Sequence, residues 1–444
     1  MLLQANMPVP KDVPLPLPLP EGLLVALLVV SFLLHIVFIN LMVGGSIVAL
    51  WAQIKGLKDK RFDEFAHEVG KTITVNKSLA VVLGVAPLLS INALYTVYFY
   101  SANALTGYAW IMIIPLVIIA FLLTYLHKYT WKALENSKRL HIGIMAIAVA
   151  IFLFIPLIFL TNVNLMMFPE KWGVVKGFFS ALMLPNVWPR YLEFIGASVG
   201  VTGVFLVWYS GRKNYPVETI YNGTFSRYEL KKLGFSIAAV GLSLQVLFGV
   251  IVLFTLPSKG MGFDVIGIMG VAGLLLVTAL WYTYQSIIGE PEKIDVHFKK
   301  IVVAMLVFMV AYGGSRQLYR HKSLDKHQQL MAARTEAFEK RSKEVRENPV
   351  EEEQVLEIDP SLGDVAQGAA IFKQNCGACH QKDKKLVGPP MTEMAAIYAD
   401  NEEGLKNWIK APGKKRPDFP QMPGFPQLSD NDLQEVSNYI LSIQ

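Results

Sequence analysis

The residues best placed to do chemistry fall in one short stretch, Cys376-Gly377-Ala378-Cys379-His380. Two thiols three residues apart, followed at once by an imidazole, form the C-x-x-C-H pattern of covalent haem attachment. The thiols add to the haem vinyl groups, and the neighbouring imidazole lies under the iron as an axial ligand. A C-x-x-C pair alone would also suit dithiol redox chemistry or half of a zinc site. The chain has only these two cysteines, so no second pair completes a zinc set and a disulfide-stapled scaffold is excluded.

Elements on both sides must position this motif. Gly368-Ala369-Ala370-Ile371-Phe372 precedes it on an expected helix, and Gly388-Pro389-Pro390 follows. Met422-Pro423-Gly424-Phe425-Pro426 comes later, and an apolar-periodic helix, Leu433 to Ile443, closes the chain behind a Ser429-Asp430 cap. On these residues, 362–444 resembles a class I cytochrome c domain. The resemblance implies covalent haem c on Cys376 and Cys379, with His380 and Met422 as axial iron ligands. Met391, directly after Gly388-Pro389-Pro390, is the competing sixth ligand. A thioether ligand raises the reduction potential relative to two imidazoles. Gly368 and Phe372 with Tyr439 match the crossing of terminal helices in that family.

The rest of the chain is of another kind. Of its 444 residues 53% are hydrophobic and 17% charged, against roughly 45–50% and 25% for soluble domains. A purely soluble enzyme is excluded. Eight apolar segments reach the bilayer-spanning length of about 20 residues: 22–53, 77–101, 106–127, 141–165, 188–211, 231–256, 262–289 and 299–319. Pro-Leu-Pro-Leu-Pro-Leu-Pro-Glu at 14–21 holds the chain extended before the first segment. That segment is expected to remain as an uncleaved membrane helix, since it is too long for a signal-peptide core and has no basic stretch directly before it.

Topology follows from the loops. Those after the first, third, fifth and seventh segments carry 18 Lys and Arg, including Lys77, while the others carry 4, namely Lys171, Lys176, Arg190 and Lys259. The positive-inside rule then places the first set in the cytoplasm and both termini outside. The same loops hold 10 acidic residues, and 362–444 has 9 basic against 10 acidic residues. The net charge of +6 therefore marks the cytoplasmic face, and nucleic acid is not an expected partner.

Ionisable residues inside the spans are functional candidates. His35 falls near mid-membrane in the first segment, as a core histidine, a haem b ligand, or a proton or quinone contact. His127 and His141 lie at the ends of neighbouring segments, where a haem between them is one geometric option. His67, His297, His321 and His327 read as surface residues. Glu193 with Arg316 and Gln317 fall at similar depth near the outer face, where Glu193 and Arg316 either pair or contact a quinol headgroup. Asn92 and Gln245 read as buried amides bridging helices. Gly196, Gly200 and Gly203 form a small-residue face.

A first-segment His followed by Gly44-Gly45, eight spans, and Pro-Arg-Tyr-Leu at 189–192 resemble subunit I of the cytochrome bd oxidase superfamily, in the branch that bears a fused cytochrome c. The resemblance covers about 1–320 and implies that His35 is a high-spin haem ligand. This chain departs from the pattern at three places. Glu193 stands where a haem-ligating His is expected in the fifth span, the third span lacks buried glutamates, and Gly313-Gly314 stand where a Met ligand is sought. These departures imply less than a full set of b haems and no oxygen reduction by this chain alone.

Charge alternation over Asp325–Arg346 predicts a helical stalk, with a tether over Pro349–Asp359. The expected fold is all-α: a transmembrane helical bundle (1–320), a charged stalk and linker (321–361) and a class I cytochrome c domain (362–444). The expected function is a membrane-anchored c-type cytochrome of the bacterial inner membrane. It carries single electrons at the periplasmic face from the quinol pool or a membrane partner to a soluble periplasmic carrier. The partners are membrane lipid and other respiratory-complex subunits, and the cofactors beyond haem c are haem b and quinone. The rival is the cytochrome-c-bearing subunit of a bd-like oxygen or nitric oxide reductase. A membrane part with no redox role is the third reading.

Overall fold

The structure is a computed structural model that describes residues 17–347, 360–414 and 419–443. Pro14–Pro16 and the Pro349–Asp359 tether lie outside these residues. The chain divides into two compact units, Met1–Glu339 and Lys340–Gln444. Both are helical, and no strand occurs among the described residues.

In the first unit the long helices are α1 (Glu21–Lys55), α2 (Lys60–Leu94), α4 (Tyr108–Tyr129), α5 (Lys138–Leu165), α7 (Val187–Gly211), α9 (Arg227–Thr255), α10 (Phe263–Ile288) and α11 (Phe298–Glu347). These eight are long and apolar enough to cross a membrane, as the hydropathy pattern predicts. Three short helices join them: α3 (Thr96–Thr106), α6 (Phe178–Leu182) and α8 (Val217–Tyr221).

The second span begins earlier than its apolar run. Phe62, Phe65, Ala66, Val69 and Ile73 recur at helical spacing and are all buried, so this charged stretch is an amphipathic extension of α2. It starts at an Asp59 cap, whose carboxylate accepts from the Arg61 amide at 3.1 Å. At its other end α2 stops at Leu94, short of the expected 101, and α3 follows as a separate helix. Lys77 is therefore no loop residue. It is fully buried, with Nζ donating to Thr124 Oγ1 (2.8 Å) and lying 3.2 Å from the Tyr125 ring centroid.

Small residues let the helices approach closely. A Cβ on Gly203 would lie 2.6 Å from Ala238 Cα, and one on Gly196 2.9 Å from the Gln245 amide, so the Gly196–Gly203 face packs on α9 within the chain. Gly44 of α1 lies similarly against the Ser198 backbone and the Thr202 hydroxyl of α7. Asn40 joins the same seam by accepting from Ser198 Oγ (3.0 Å). Gln245 is buried as expected, whereas Asn92 is exposed and bonds back to Leu88 O of its own helix.

The stalk is helical and continuous with the last span: α11 runs 50 residues without a break. Leu324 and His327 on it are buried, and Nδ1 of His327 lies 2.9 Å from the Tyr98 hydroxyl. His327 is thus a packed residue. Charge alternation hid this because one buried stripe on a charged helix leaves its mean hydropathy low.

The second unit holds α12 (Ala366–Asn375), α13 (Met391–Tyr398), α14 (Glu402–Lys410) and α15 (Asp430–Leu441). Its core joins Ile371 and Phe372 to Leu405, Ile409, Leu433, Val436 and Ile440. The expected terminal-helix crossing is present. A Cβ on Gly368 would strike the Glu435 carbonyl and lie 2.9 Å from Tyr439 Cβ, and the Phe372 and Tyr439 rings meet edge-on at 5.7 Å. A reciprocal box between Ser429 and Asp432 starts α15.

Candidate functional site

The C-x-x-C-H stretch sits at the end of α12, where the helix closes in a tight turn. Cys376 N–H donates to Phe372 O at 2.8 Å, and the Cys379 and His380 amides both donate to Cys376 O at 3.0 Å. Both thiols are free, Cys376 buried and Cys379 half-buried. Burial pushes the Cys376 thiol up to about 11, so it is a neutral S–H at physiological pH until it adds across a vinyl group.

The His380 ring is 8% exposed and held at one edge. Its Nδ1 lies 2.8 Å from the Pro389 carbonyl oxygen. A carbonyl only accepts, so Nδ1 carries the proton and Nε2 keeps its lone pair for a metal. Gly388 makes this approach possible: a Cβ there would lie 2.7 Å from Nδ1 and 2.8 Å from Nε2. The turn is pinned by Gly388 N–H to Cys379 O (2.9 Å) and Met391 N–H to Gln381 O (2.9 Å). Two free thiols, an oriented imidazole and the space left by a glycine form a donor set that fits covalent haem.

The two methionines differ in surroundings. Met391 is 3% exposed and packed in the core of this unit with Ile371, Phe372 and Leu433. Met422 is half-buried on the loop between α14 and α15. That loop is fixed just beyond it, where Phe425 N–H donates to Ile409 O (3.0 Å).

In the first unit, His35 repeats the pattern of His380. Its Nδ1 lies 2.7 Å from Ala80 O of α2, and its ring lies against Gly84, where a Cβ would come within 2.8 Å. Nε2 is again the nitrogen left for a ligand. His127 and His141 form a closed network instead. Their rings stack at 4.1 Å and 8°, Gln53 Nε2 donates to His141 Nδ1 (2.7 Å), and Gln53 Oε1 accepts from His127 Nε2 (3.0 Å). His141 Nε2 then donates to His127 O (2.7 Å). His141 has no nitrogen left and the rings lie face to face, so no haem fits between them. His67 stacks on the neighbouring Trp131 at 4.4 Å.

Glu193 is 6% exposed and accepts from the Tyr312 hydroxyl at 2.7 Å. It makes no ion pair with Arg316, whose guanidinium lies 5.9 Å from the Tyr312 ring. Arg190, read in sequence as a loop charge, is instead in the first turn of α7 and buried. Tyr312 was missed because a tyrosine in an apolar run gives no signal, and Arg190, although it opens the 188–211 segment, was counted with the loop charges. The spacing Arg190, Glu193, one helical turn, was the available clue.

The cytochrome c family model matches residues 365–444. Cytochrome c6 of Cyanidium caldarium is 37% identical over 76 residues, covering 17% of this chain and 67% of that protein. Cytochrome c-552 of Nitrosomonas europaea is 35% identical over 75 residues, covering 16% and 73%. The chain belongs to the cytochrome c family.

That kinship is carried by the C-terminal cytochrome c domain, which begins at the start of α12 and includes every element of the haem motif. The helical bundle is similar in fold to a different protein. It superposes on the structure of bd oxidase from Geobacillus thermodenitrificans with a TM-score of 0.54 and 14% identity, over 68% of this chain and 87% of that one. At this identity the likeness is one of fold, and it agrees with the resemblance drawn from His35 and Gly44-Gly45. As a cytochrome c domain, 365–444 carries covalent haem c and transfers electrons.

Proposed function

We propose that the chain is a membrane-anchored c-type cytochrome passing single electrons at the outer face of the bacterial inner membrane. Electrons come from the quinol pool or a membrane partner complex and leave to a soluble periplasmic carrier. The division 1–320, 321–361 and 362–444 gives bundle, stalk with linker, and haem domain. The observation that carries the reading is the His380 ring, locked by Pro389 with Nε2 free beside two thiols. Haem, when bound, supplies an iron that gains and loses one electron.

The residues do the rest. Cys376 and Cys379 would hold the group through thioether bonds, each formed by adding the thiol S–H across a vinyl C=C with no oxidant needed. His380 Nε2 would ligate the iron, and the proton on Nδ1, shared with Pro389 O, enriches the ring and fixes its plane. Met422, on its anchored loop, would supply the second iron ligand, because Met391 is committed to core packing. Basic residues concentrated on and between the facing ends of α1 and α2, α4 and α5, α7 and α9, and α10 and α11 favour those ends as cytoplasmic, with the haem domain outside. Leaving out Lys77 and Arg190, which are buried in the bundle, takes one basic residue from each side and leaves the asymmetry intact.

A quinol contact at Glu193 and Arg316 accounts for a buried carboxylate on the bundle. Quinol oxidation releases protons, and Glu193, hydrogen-bonded by Tyr312, is an acceptor at that end. A second reading, the cytochrome-c-bearing subunit of a bd-like oxygen or nitric oxide reductase, is favoured by the bd oxidase fold and by His35. There the ring is oriented by Ala80 O as a haem b ligand would be.

The test is reduction of haem c in vesicles by added quinol, followed by its oxidation by a soluble c-type carrier. The proposal predicts quinol-dependent reduction that is lost in Glu193→Gln. Reduction unchanged in that variant would remove Glu193 from the quinol site. No electron exchange with any soluble carrier would sink the carrier role.

A further inference from the structure

Three arginines converge at one end of the bundle without a matching set of carboxylates. Arg190 of α7 and Arg316 and Arg320 of α11 line a small cavity. Its other walls include Val252, Leu256, Met167 and Met269. Among the described residues none of the three makes an ion pair. Glu193, one turn from Arg190, is engaged by Tyr312, and Glu170 and Asp264 are held by Lys259 (3.0 Å) and Lys322 (2.5 Å).

Arg190 is the decisive residue. It is 4% exposed, and its Nη2 is buried with no hydrogen-bond partner among the described residues. Arg320 donates through Nη1 to Gln317 Oε1 (2.7 Å), yet its buried Nε is also unpartnered. A guanidinium taken out of water without an acceptor is strongly disfavoured, and it cannot shed its proton as a lysine or carboxyl group would. Three fixed positive charges against one carboxylate leave an excess that something must meet. Apolar walls strengthen whatever anion sits there, because the local dielectric is low.

We propose that this cavity is a binding site for a small inorganic anion, held by Arg190, Arg316 and Arg320. Charge selects the class: three guanidinium groups against one carboxylate call for an anion, and chloride, which only accepts hydrogen bonds, is the simplest probe of it. The site is distinct from the proposed quinol contact in its test, since no quinone is needed to observe it.

The full-length holoprotein is placed in nanodiscs of phosphatidylcholine, which supplies no anionic headgroup. Its Tm is followed by tryptophan fluorescence while chloride replaces gluconate at constant ionic strength. The expected result is a saturable rise in Tm with chloride, reproduced by bromide, and loss of that whole shift in Arg190→Gln. Should Arg190→Gln fail to fold, Arg316→Gln is expected to weaken the apparent chloride affinity at least tenfold. A bromide-soaked crystal should show anomalous density within the arginine ring. Equal Tm in chloride and gluconate would overturn the proposal. So would a chloride response that survives both substitutions, or stabilisation by phosphatidylglycerol but not by chloride.

Discussion

Replacing Gly388 by Ala tests how the axial imidazole is held. Gly388 does not have a left-handed φ, so alanine is compatible with the backbone and the change acts through one methyl group. That methyl would lie 2.7 Å from His380 Nδ1 and 2.8 Å from Nε2, well inside contact distance. The ring cannot retreat freely, because Nδ1 is bound to Pro389 O and the His380 amide to Cys376 O. Overpacking costs about 1–3 kcal/mol, and loss of the Nδ1 hydrogen bond adds about 0.5–1.5 kcal/mol. The combined loss is about 2–4 kcal/mol, which at an m-value of about 3 kcal/mol/M lowers the guanidinium midpoint by about 1 M. The assay is Soret-monitored unfolding of the holoprotein, with the reduction potential measured alongside. A ring that no longer shares its Nδ1 proton donates less to ferric iron, so the potential should rise, by up to about 60 mV for a tenfold change in the redox equilibrium. An unchanged midpoint with an unchanged potential would refute this account of Gly388 and of the imidazole's orientation.

Further outcomes follow from the same geometry. Gly368→Ala pushes a methyl into the Glu435 carbonyl across the α12–α15 crossing, and should cost at least about 2 kcal/mol in thermal unfolding because backbone must move. Met422→Ala should abolish the near-infrared Met–iron band while Met391→Leu leaves it, and the reverse would make Met391 the ligand. Gln434 and Lys406 hold the Glu402 carboxyl below its usual range. Its stabilisation is therefore complete above the unfolded carboxyl's pKa and lost as pH falls through the lower folded one. Glu402→Gln should flatten acid unfolding of the haem domain in that window, and unchanged acid sensitivity would count against the contact.

Much of this was legible in the sequence for identifiable reasons. Cys376, Cys379 and His380 are legible because attachment fixes both residue type and spacing. The eight spans are legible because bilayer thickness fixes their length. Boundaries were less so: α2 extends back to Lys60 because Phe62, Phe65, Val69 and Ile73 line one face of a charged stretch, which an average over consecutive residues conceals. Lys77 and His327 looked exposed by type and are buried by specific partners, Thr124 and Tyr98. The pair expected at Glu193 and Arg316 gave way to Tyr312, since which polar groups meet across α7 and α11 depends on rotation of each helix about its axis. No hydropathy pattern records that angle.

The account rests on one covalently bound haem per chain, and extraction of the purified full-length protein with acidified acetone, followed by a pyridine haemochrome spectrum, tests it most directly. The account predicts one haem of c type per chain that stays with the protein, and its loss when Cys376 and Cys379 are both replaced by Ala. A protein that yields all its haem to the solvent, or none of c type, would contradict it.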